Sequence, residues 1–339
     1  MYDYKAEGAL PDNEQIKRIF PIAEEKLKQY TNIQVALSGG SDSDIMLDII
    51  EKCRQPHNNI YYVYYNAGLD FDATKRHLKY LEDHYGINIM FMAPKKSIPT
   101  TCREIGQPFL SKKISNYIER LQKHGFEWED SPTEVLLQKY SRCESALKWF
   151  SNGWGENSQF NIEKRKWLRE YMLANPPTFK ISDKCCDFAK KHVAKEFHKT
   201  YSVDLECTGI RKAEGGRRAT SFTSCFSEEK GDIIATFRPV FFFKKEDKAV
   251  YKRFFNLTYS DCYEKYGMNR TGCVGCPFGK DFEEELEIVR KNEPKFYQAI
   301  QKIFKDAYEY QRGYYKFRDE MDAKVRKEKM EAAQREMNK

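Results

Sequence analysis

Apolar positions recur at helical spacing, then in short unbroken runs, then at helical spacing again through the first third of the chain. Residues 12–30 place Ile16, Ile19, Phe20, Ala23 and Leu27 on one stripe, which predicts an amphipathic helix. The run Ile33-Gln34-Val35-Ala36-Leu37 predicts a buried strand over 33–38, and a helix follows from 43 to about 53. Ile60 to Tyr65 reads as a second buried strand, ending at Asn66-Ala67-Gly68-Leu69-Asp70. A helix over 72–85 and a third strand over Ile87–Ala93 complete the alternation. Strand and helix at this spacing predict a parallel sheet. Ligands of such sheets bind beyond the carboxyl ends of the strands. Both Ser38–Ser43 and Asn66–Asp70 fall at such ends.

The alternation is lost over 95–200, which reads as a mostly helical insertion containing all four tryptophans and broken by Asn175-Pro176-Pro177. Val203–Gly209 and Ile233–Phe243 read as the last strands, and 281–312 as helical. The stretch 316–339 is rich in Lys, Glu, Arg and Met and poor in apolar anchors, so it reads as a solvated helix or unstructured tail. The expected parts are therefore 1–95, the first half of an α/β domain; 96–200, the insertion; 201–280, the second half; and 281–339, C-terminal helices and tail.

Hydrophobic residues are 40% and charged residues 32%, which suits a globular chain with a wet surface. No run approaches the roughly 18 apolar residues of a membrane span, and the first residues show no signal-peptide pattern. A cytoplasmic location is the expectation, with no membrane partner. The net charge of +7 suits an anionic ligand and permits nucleic acid. Ten cysteines in such a chain point to metal or catalysis rather than to disulfides.

The chemistry concentrates first in Ser38-Gly39-Gly40-Ser41-Asp42-Ser43. A strand, a tight glycine turn and a helix start form an anion site, because the first helical N–H groups have no partner within the helix and the dipole is positive there. The two glycines let backbone approach a phosphate, and the serines add hydroxyls. The spacing is not that of a Walker A loop. A second concentration is the pair Cys185-Cys186 with Cys273-Val274-Gly275-Cys276, a CxxC knuckle followed by Pro277. Adjacent cysteines can converge at a helix start. The third is Gly209-Ile210-Arg211 through Gly216-Arg217-Arg218, basic residues following a strand, where a guanidinium can grip an oxyanion bidentately.

The string SGGSDS resembles the PP-loop, SGGxDS, of the ATP pyrophosphatase and PAPS reductase superfamily. The resemblance covers about residues 30 to 280. It implies an α/β fold with a doubly wound parallel sheet of the HUP-like, PP-loop type, and an adenine nucleotide whose pyrophosphate or sulfate sits at Ser38, Gly39, Gly40, Ser41, Asp42 and Ser43. Asp42 is typical of members that cleave ATP between the α and β phosphates, with Mg²⁺ accompanying the nucleotide. Asn66 to Asp70 is similar to the family's DTG-type segment beside the adenosine, with Asn66 replacing the Asp and Gly68 the matching glycine. The GIR…R segment implies that Gly209, Arg211 and Arg217 face the anionic oxygens. The cysteine arrangement resembles the CC…CxxC set that holds a 4Fe-4S cluster in bacterial adenylyl-sulfate reductases. That implies Cys185, Cys186, Cys273 and Cys276 as ligands and Lys190 as the basic residue after the pair; a four-cysteine zinc site and no metal at all stay open.

The expected function is sulfur or adenylyl transfer from ATP or an adenosine sulfonucleotide, with Asp42, Arg211 and Lys190 as catalytic residues and an iron–sulfur cluster beside them. Rival readings are thiolation of tRNA or DNA, with nucleic acid or a sulfur-donor protein as partner, and a nucleotide-binding regulator without catalysis. Adenylyl-sulfate reductases attack with a cysteine on a C-terminal segment, and no cysteine follows Cys276 here. Any sulfur chemistry then needs an internal thiol such as Cys143, the cluster, or an external donor. Lys148, near Cys143, is a further candidate for anion contact.

Overall fold

The computed structural model describes residues 2–215, 221–279 and 281–337. The chain divides into two compact units. The first takes Met1–Ser97, Phe188–Val274 and Ile288–Glu293; the second takes Ile98–Asp187, Gly275–Glu287 and Pro294–Lys339.

The first unit is built on a six-stranded sheet. Its strands are β1 (Asn32–Leu37), β2 (Asn59–Tyr65), β3 (Ile89–Met92), β4 (Leu205–Thr208), β5 (Phe226–Ser227) and β6 (Ala235–Phe237), ordered β3-β2-β1-β4-β6-β5. Every pairing is parallel except β5 with β6. The chain winds outward from β1 to β3, then returns to the other side of β1 with β4. The β1/β4 boundary is therefore the topological switch point, where a crevice opens at the carboxyl ends.

Helix α1 (Glu14–Gln29) buries the stripe its sequence predicts, Ile16, Ile19, Phe20, Ala23 and Leu27. Asn13 caps it, its side chain accepting from Ile16 N at 3.0 Å. Helix α2 (Ser41–Cys53) follows β1, and α3 (Asp72–Tyr85) follows β2. These apolar faces join Ile33, Val35 and Leu37 in one core. The opposite sheet face carries a second cluster, Val63 with Phe197 of the helix His192–Thr200. Helices thus cover both faces, as a doubly wound parallel sheet requires.

The expected strand over Ile233–Phe243 is mostly something else. Only Ala235–Phe237 pairs in the sheet. Beyond it the chain coils, with Phe241 N donating to Arg238 O and Phe243 N to Val240 O, each at 3.0 Å. Pro239 offers no donor to a ladder, and the apolar run is buried as turns, with Val240, Phe241 and Phe243 all in the core.

The second unit is helical. Ile114, Ile118 and Leu121 of Lys112–Lys123 pack with Phe126, Leu136, Leu147 and Phe150. The tail expected as solvated helix or unstructured chain is helix: Lys305–Met337 runs for 33 residues. No helix among the described residues is long and apolar enough to cross a membrane.

Candidate functional site

The loop after β1 is tied to itself by its serines. Ser43 Oγ donates to Gly40 O at 2.7 Å and accepts from Ser38 Oγ at 3.1 Å and Ser38 N at 3.3 Å. Ser38 Oγ in turn accepts from Gly40 N at 3.3 Å. Gly39 sits at φ +64, and a Cβ there would lie 2.6 Å from Thr74 Cγ2. A Cβ on Gly40 would meet Thr271 Oγ1 at 3.0 Å and Tyr263 OH at 3.1 Å. The sequence calls for glycine at 39 because the left-handed turn excludes a side chain, and at 40 because three hydroxyls crowd it.

β4 delivers the other side of the crevice. A Cβ on Gly209 would lie 2.7 Å from Ser43 N and 2.8 Å from Asp42 C. Backbone here packs on backbone, so the end of β4 lies directly against the first turn of α2. Two residues on, Arg211 Nε lies 2.8 Å from Asp42 Oδ2. The pair is an ion pair in distance but lacks hydrogen-bond alignment. Arg211 Nη1 donates to Phe243 O at 3.3 Å, so the turn after β6 helps to orient the guanidinium.

A residue that the sequence reading missed completes this cluster. Lys248, on the helix Lys245–Phe254, pairs with Asp42 Oδ1 and donates to Ser41 Oγ at 2.7 Å. Nothing in the local pattern distinguishes Lys248 from its neighbours Lys244, Lys245 and Lys252. Behind the loop, Asp44 lies buried with His77 Nε2 2.8 Å from its Oδ2. Burial pushes the Asp44 carboxyl up, against the pull of His77.

The end of β2 is held by a carboxylate. Asp70 Oδ2 accepts from Ala67 N at 2.9 Å and Gly68 N at 3.2 Å, while Asn66 Oδ1 accepts from Gly68 N at 2.8 Å. Gly68 takes φ +80 in this turn. The expectation named Asn66 and Gly68; Asp70 is the residue that shapes the loop. Val274 N donates to Leu69 O at 2.8 Å, bringing the first half of the CxxC segment against this strand end. Lys190 is half-buried on a five-residue π turn, Asp187–Lys191. Arg217 lies outside the described residues.

None of the ten cysteines is in a disulfide. Cys273 belongs to the sheet unit, and Cys185, Cys186 and Cys276 to the helical unit. Cys185 shares hydrogen bonds with Cys102 and Cys186; the first of these contacts, with burial behind it, pushes its thiol up. Cys276 adds to that shift. The Cys186 thiol is pushed up by its contact with Cys185 and by burial, with Lys112 pulling the other way. Cys102 is thus a further sulfur of this cluster that the spacing did not point to. Among the described residues no three His, Cys, Asp or Glu side chains are grouped as metal ligands. Cys102, Cys185 and Cys186 lie in contact with one another, with Lys112 beside them, and thiolates are soft ligands.

Cys143 is not a presented nucleophile. It is fully buried in the helical core, its Sγ 3.6 Å from Tyr140 O, and burial pushes its thiol up. Lys148 pairs with Glu144 Oε1 at 2.6 Å and lies over the exposed Trp154 ring at 5.4 Å.

A model of the phosphoadenosine phosphosulfate reductase domain matches residues 32–126 and 133–279. No curated protein matches the chain. Among solved structures it is similar to phosphoadenylyl-sulfate (PAPS) reductase from Candida auris in its phosphate complex, at 13% identity over 78% of this chain and 97% of that one, with a TM-score of 0.41. It is also similar to the U34-tRNA thiolase NcsA from Methanococcus maripaludis with its 4Fe-4S cluster, at 14% identity over 89% of this chain and 79% of that one, with a TM-score of 0.37.

Proposed function

The chain belongs to the phosphoadenosine phosphosulfate reductase domain family, and on that premise we propose that it is an enzyme of sulfur or adenylyl transfer that holds the anionic end of ATP or an adenosine sulfonucleotide at Ser38–Ser43. The observation that carries this reading is the closure of β4 on the loop. Gly209 packs on the backbone of Asp42 and Ser43, and Arg211 is thereby brought to the loop's carboxylate. The positive end of the α2 dipole and two cations then converge at the switch point. A phosphate or sulfate is the complementary ligand.

In the adenylyl-transfer form, a substrate oxygen attacks the α-phosphorus and pyrophosphate leaves. Arg211, with Lys190 as the second candidate, offsets charge on the leaving oxygens, and Asp42 holds the cations in place. In the sulfonucleotide form, an external thiol attacks sulfur and the nucleotide phosphate leaves. Cys185, Cys186, Cys273 and Cys276 are the proposed ligands of an iron–sulfur cluster, with zinc as the alternative. Such a cluster supplies electrons or a sulfur-binding iron when bound.

One observation favours nucleic acid as acceptor. In the helical unit, Trp154 and Phe160 are exposed, with Lys148 5.4 Å from one ring centroid and Lys113 4.4 Å from the other. Aromatic faces interleaved with lysines suit stacked bases.

Gly209→Ala is the discriminating variant, because its methyl group meets backbone that cannot swing away. Titration calorimetry with ATP and with adenylyl sulfate should show affinity falling about tenfold or more, the equivalent of one lost charged hydrogen bond. Wild-type affinity in a folded Gly209→Ala protein would remove the basis for placing the anion there.

A further inference from the structure

The helical unit has a cleft of about 440 Å³ formed entirely from its own residues. Three cations border it from three separate elements. Arg103 stands on the helix Ile98–Glu104, Lys180 on the segment before Ile181, and Lys302 near the end of the helix Pro294–Ile303. All three are exposed, and among the described residues none is paired with a carboxylate. Asp306, the acid that lines the cleft, accepts from Gln107 Nε2 at 2.8 Å. Three cations facing one hydrogen-bonded carboxylate leave the cleft positive, so its complement is a small dianion.

Backbone contacts set its walls. Gln107 N donates to Lys180 O at 2.8 Å and Ser182 N to Gln107 O at 2.9 Å, a parallel bridge that fixes Lys180 just beyond the helix carrying Arg103. A Cβ on Gly106 would lie 2.7 Å from Lys180 O, so glycine is what lets these two backbones meet. Gln107 Oε1 accepts from Ala307 N at 2.9 Å, which ties the bridge to the start of the helix Lys305–Met337. Cys102 lies in this wall. It is only 5% exposed and borders the cleft, which is therefore its route to solvent. The same thiol shares a hydrogen bond with Cys185.

We propose that this cleft is a sulfur-entry site, which binds a small sulfur-bearing dianion of the thiosulfate class and passes its outer sulfur to Cys102. Arg103, Lys180 and Lys302 hold the sulfonate oxygens, the guanidinium through two parallel hydrogen bonds. The Cys102 thiol gives its proton to water, and its sulfur attacks the outer sulfur of the bound dianion. The bond between the two thiosulfate sulfurs breaks, sulfite leaves with the electron pair, and Cys102 is left as a persulfide. No other oxidant or reductant enters. The captured sulfur then stands beside Cys185. The site adds a sulfur source to the sulfur-transfer reading and does not rest on the nucleotide site.

The test incubates the reduced full chain with thiosulfate radiolabelled in its outer sulfur, in the absence of nucleotide. Sulfite release is assayed, and the retained label is mapped by peptide mass after alkylation. Wild-type protein should release one sulfite for each label retained, with the label on the Cys102 peptide. Mapping in the wild type keeps the assignment independent of whether Cys102→Ser folds. Lys180→Gln combined with Lys302→Gln should slow labelling about tenfold or more at limiting thiosulfate, the expected effect of lost hydrogen bonds to a charged ligand. Lys180→Arg combined with Lys302→Arg keeps the charge and should label as wild type does, as should Cys225→Ser. Absence of sulfite release, or label on a cysteine other than Cys102, overturns the proposal. So does an unchanged labelling rate in the folded Lys180→Gln, Lys302→Gln protein. Because no nucleotide is present, none of these failures touches the reading of the loop after β1, and loss of nucleotide binding would leave this site standing.

Discussion

Glu206 on β4 stands opposite Gln34 of β1 and presents a carboxyl to the covered face of the sheet. His198 Nε2 lies 3.8 Å from its Oε1, too far for a hydrogen bond, and Arg238 is nearby but without alignment at its Nε. The side chain keeps 23% of its surface yet sits deep enough that burial pushes it up to about 7, with Arg238 pulling back. The unfolded chain releases this proton near the usual 4.5. Between those values the folded chain holds a proton that the unfolded chain has lost. Stability from this group is thus fully present below about 4.5 and is lost as pH rises through about 7. Glu206→Gln removes that slope, so the variant should gain on wild type by about 1–3 kcal/mol between pH 5 and pH 8. Urea denaturation at the two pH values measures it; parallel profiles for the two proteins would count against a protonated Glu206. Neither Glu206 nor Lys248 is marked by its local sequence. Each becomes chemically distinct through what other strands and helices place against it.

At the level of elements, α3 shows how a helix end can depend on remote chain. Its N-cap is Phe71, which has no side-chain oxygen to offer. The carboxylate of Glu293 takes that role, accepting from Asp72 N at 2.9 Å and Ala73 N at 3.1 Å. It also places negative charge at the positive end of the helix. Glu293→Ala should cost about 1 kcal/mol of unfolding free energy, in the range of lost N-caps, and Glu293→Gln less, since one acceptor survives. Chemical denaturation of the three proteins gives the ordering; equal midpoints would mean that α3 does not use the cap. The first helices of the chain needed no such help to be legible. α1 and α3 show the 3.6-residue period because one face of each is solvated. The run Ile233–Phe243 misled because an apolar stretch is as compatible with buried turns as with a buried strand.

Across the whole molecule, the cysteines are divided between the two units. Cys185, Cys186 and Cys276 belong to the helical unit with Cys102, and Cys273 to the sheet unit. If they hold the proposed cluster, protein purified without oxygen should carry about four irons per chain and absorb in the visible. Cys185→Ser and Cys273→Ser should each lose most of that iron. Cys225→Ser, in the sheet unit and outside the set, should keep it. Metal analysis and an absorbance spectrum decide; one firmly bound zinc in place of iron would assign the thiols to a zinc site.

The sequence alone determined the α/β class, the strand–loop–helix at Ser38–Ser43 and the alternation through β3, because these depend on contacts between near neighbours and on periodicities the chain carries locally. It also contained the family's motifs, which depend on residue type and spacing. Tertiary structure alone decided that β4 returns beside β1, that Gly209 seats against Ser43, that Lys248 reaches Asp42 and that Glu293 caps α3. Those partners lie far apart in the chain, and each pairing exists only because burial of the sheet's two faces brings distant segments to one crevice. Charge on a side chain can be read from sequence; which charge it faces is set by packing.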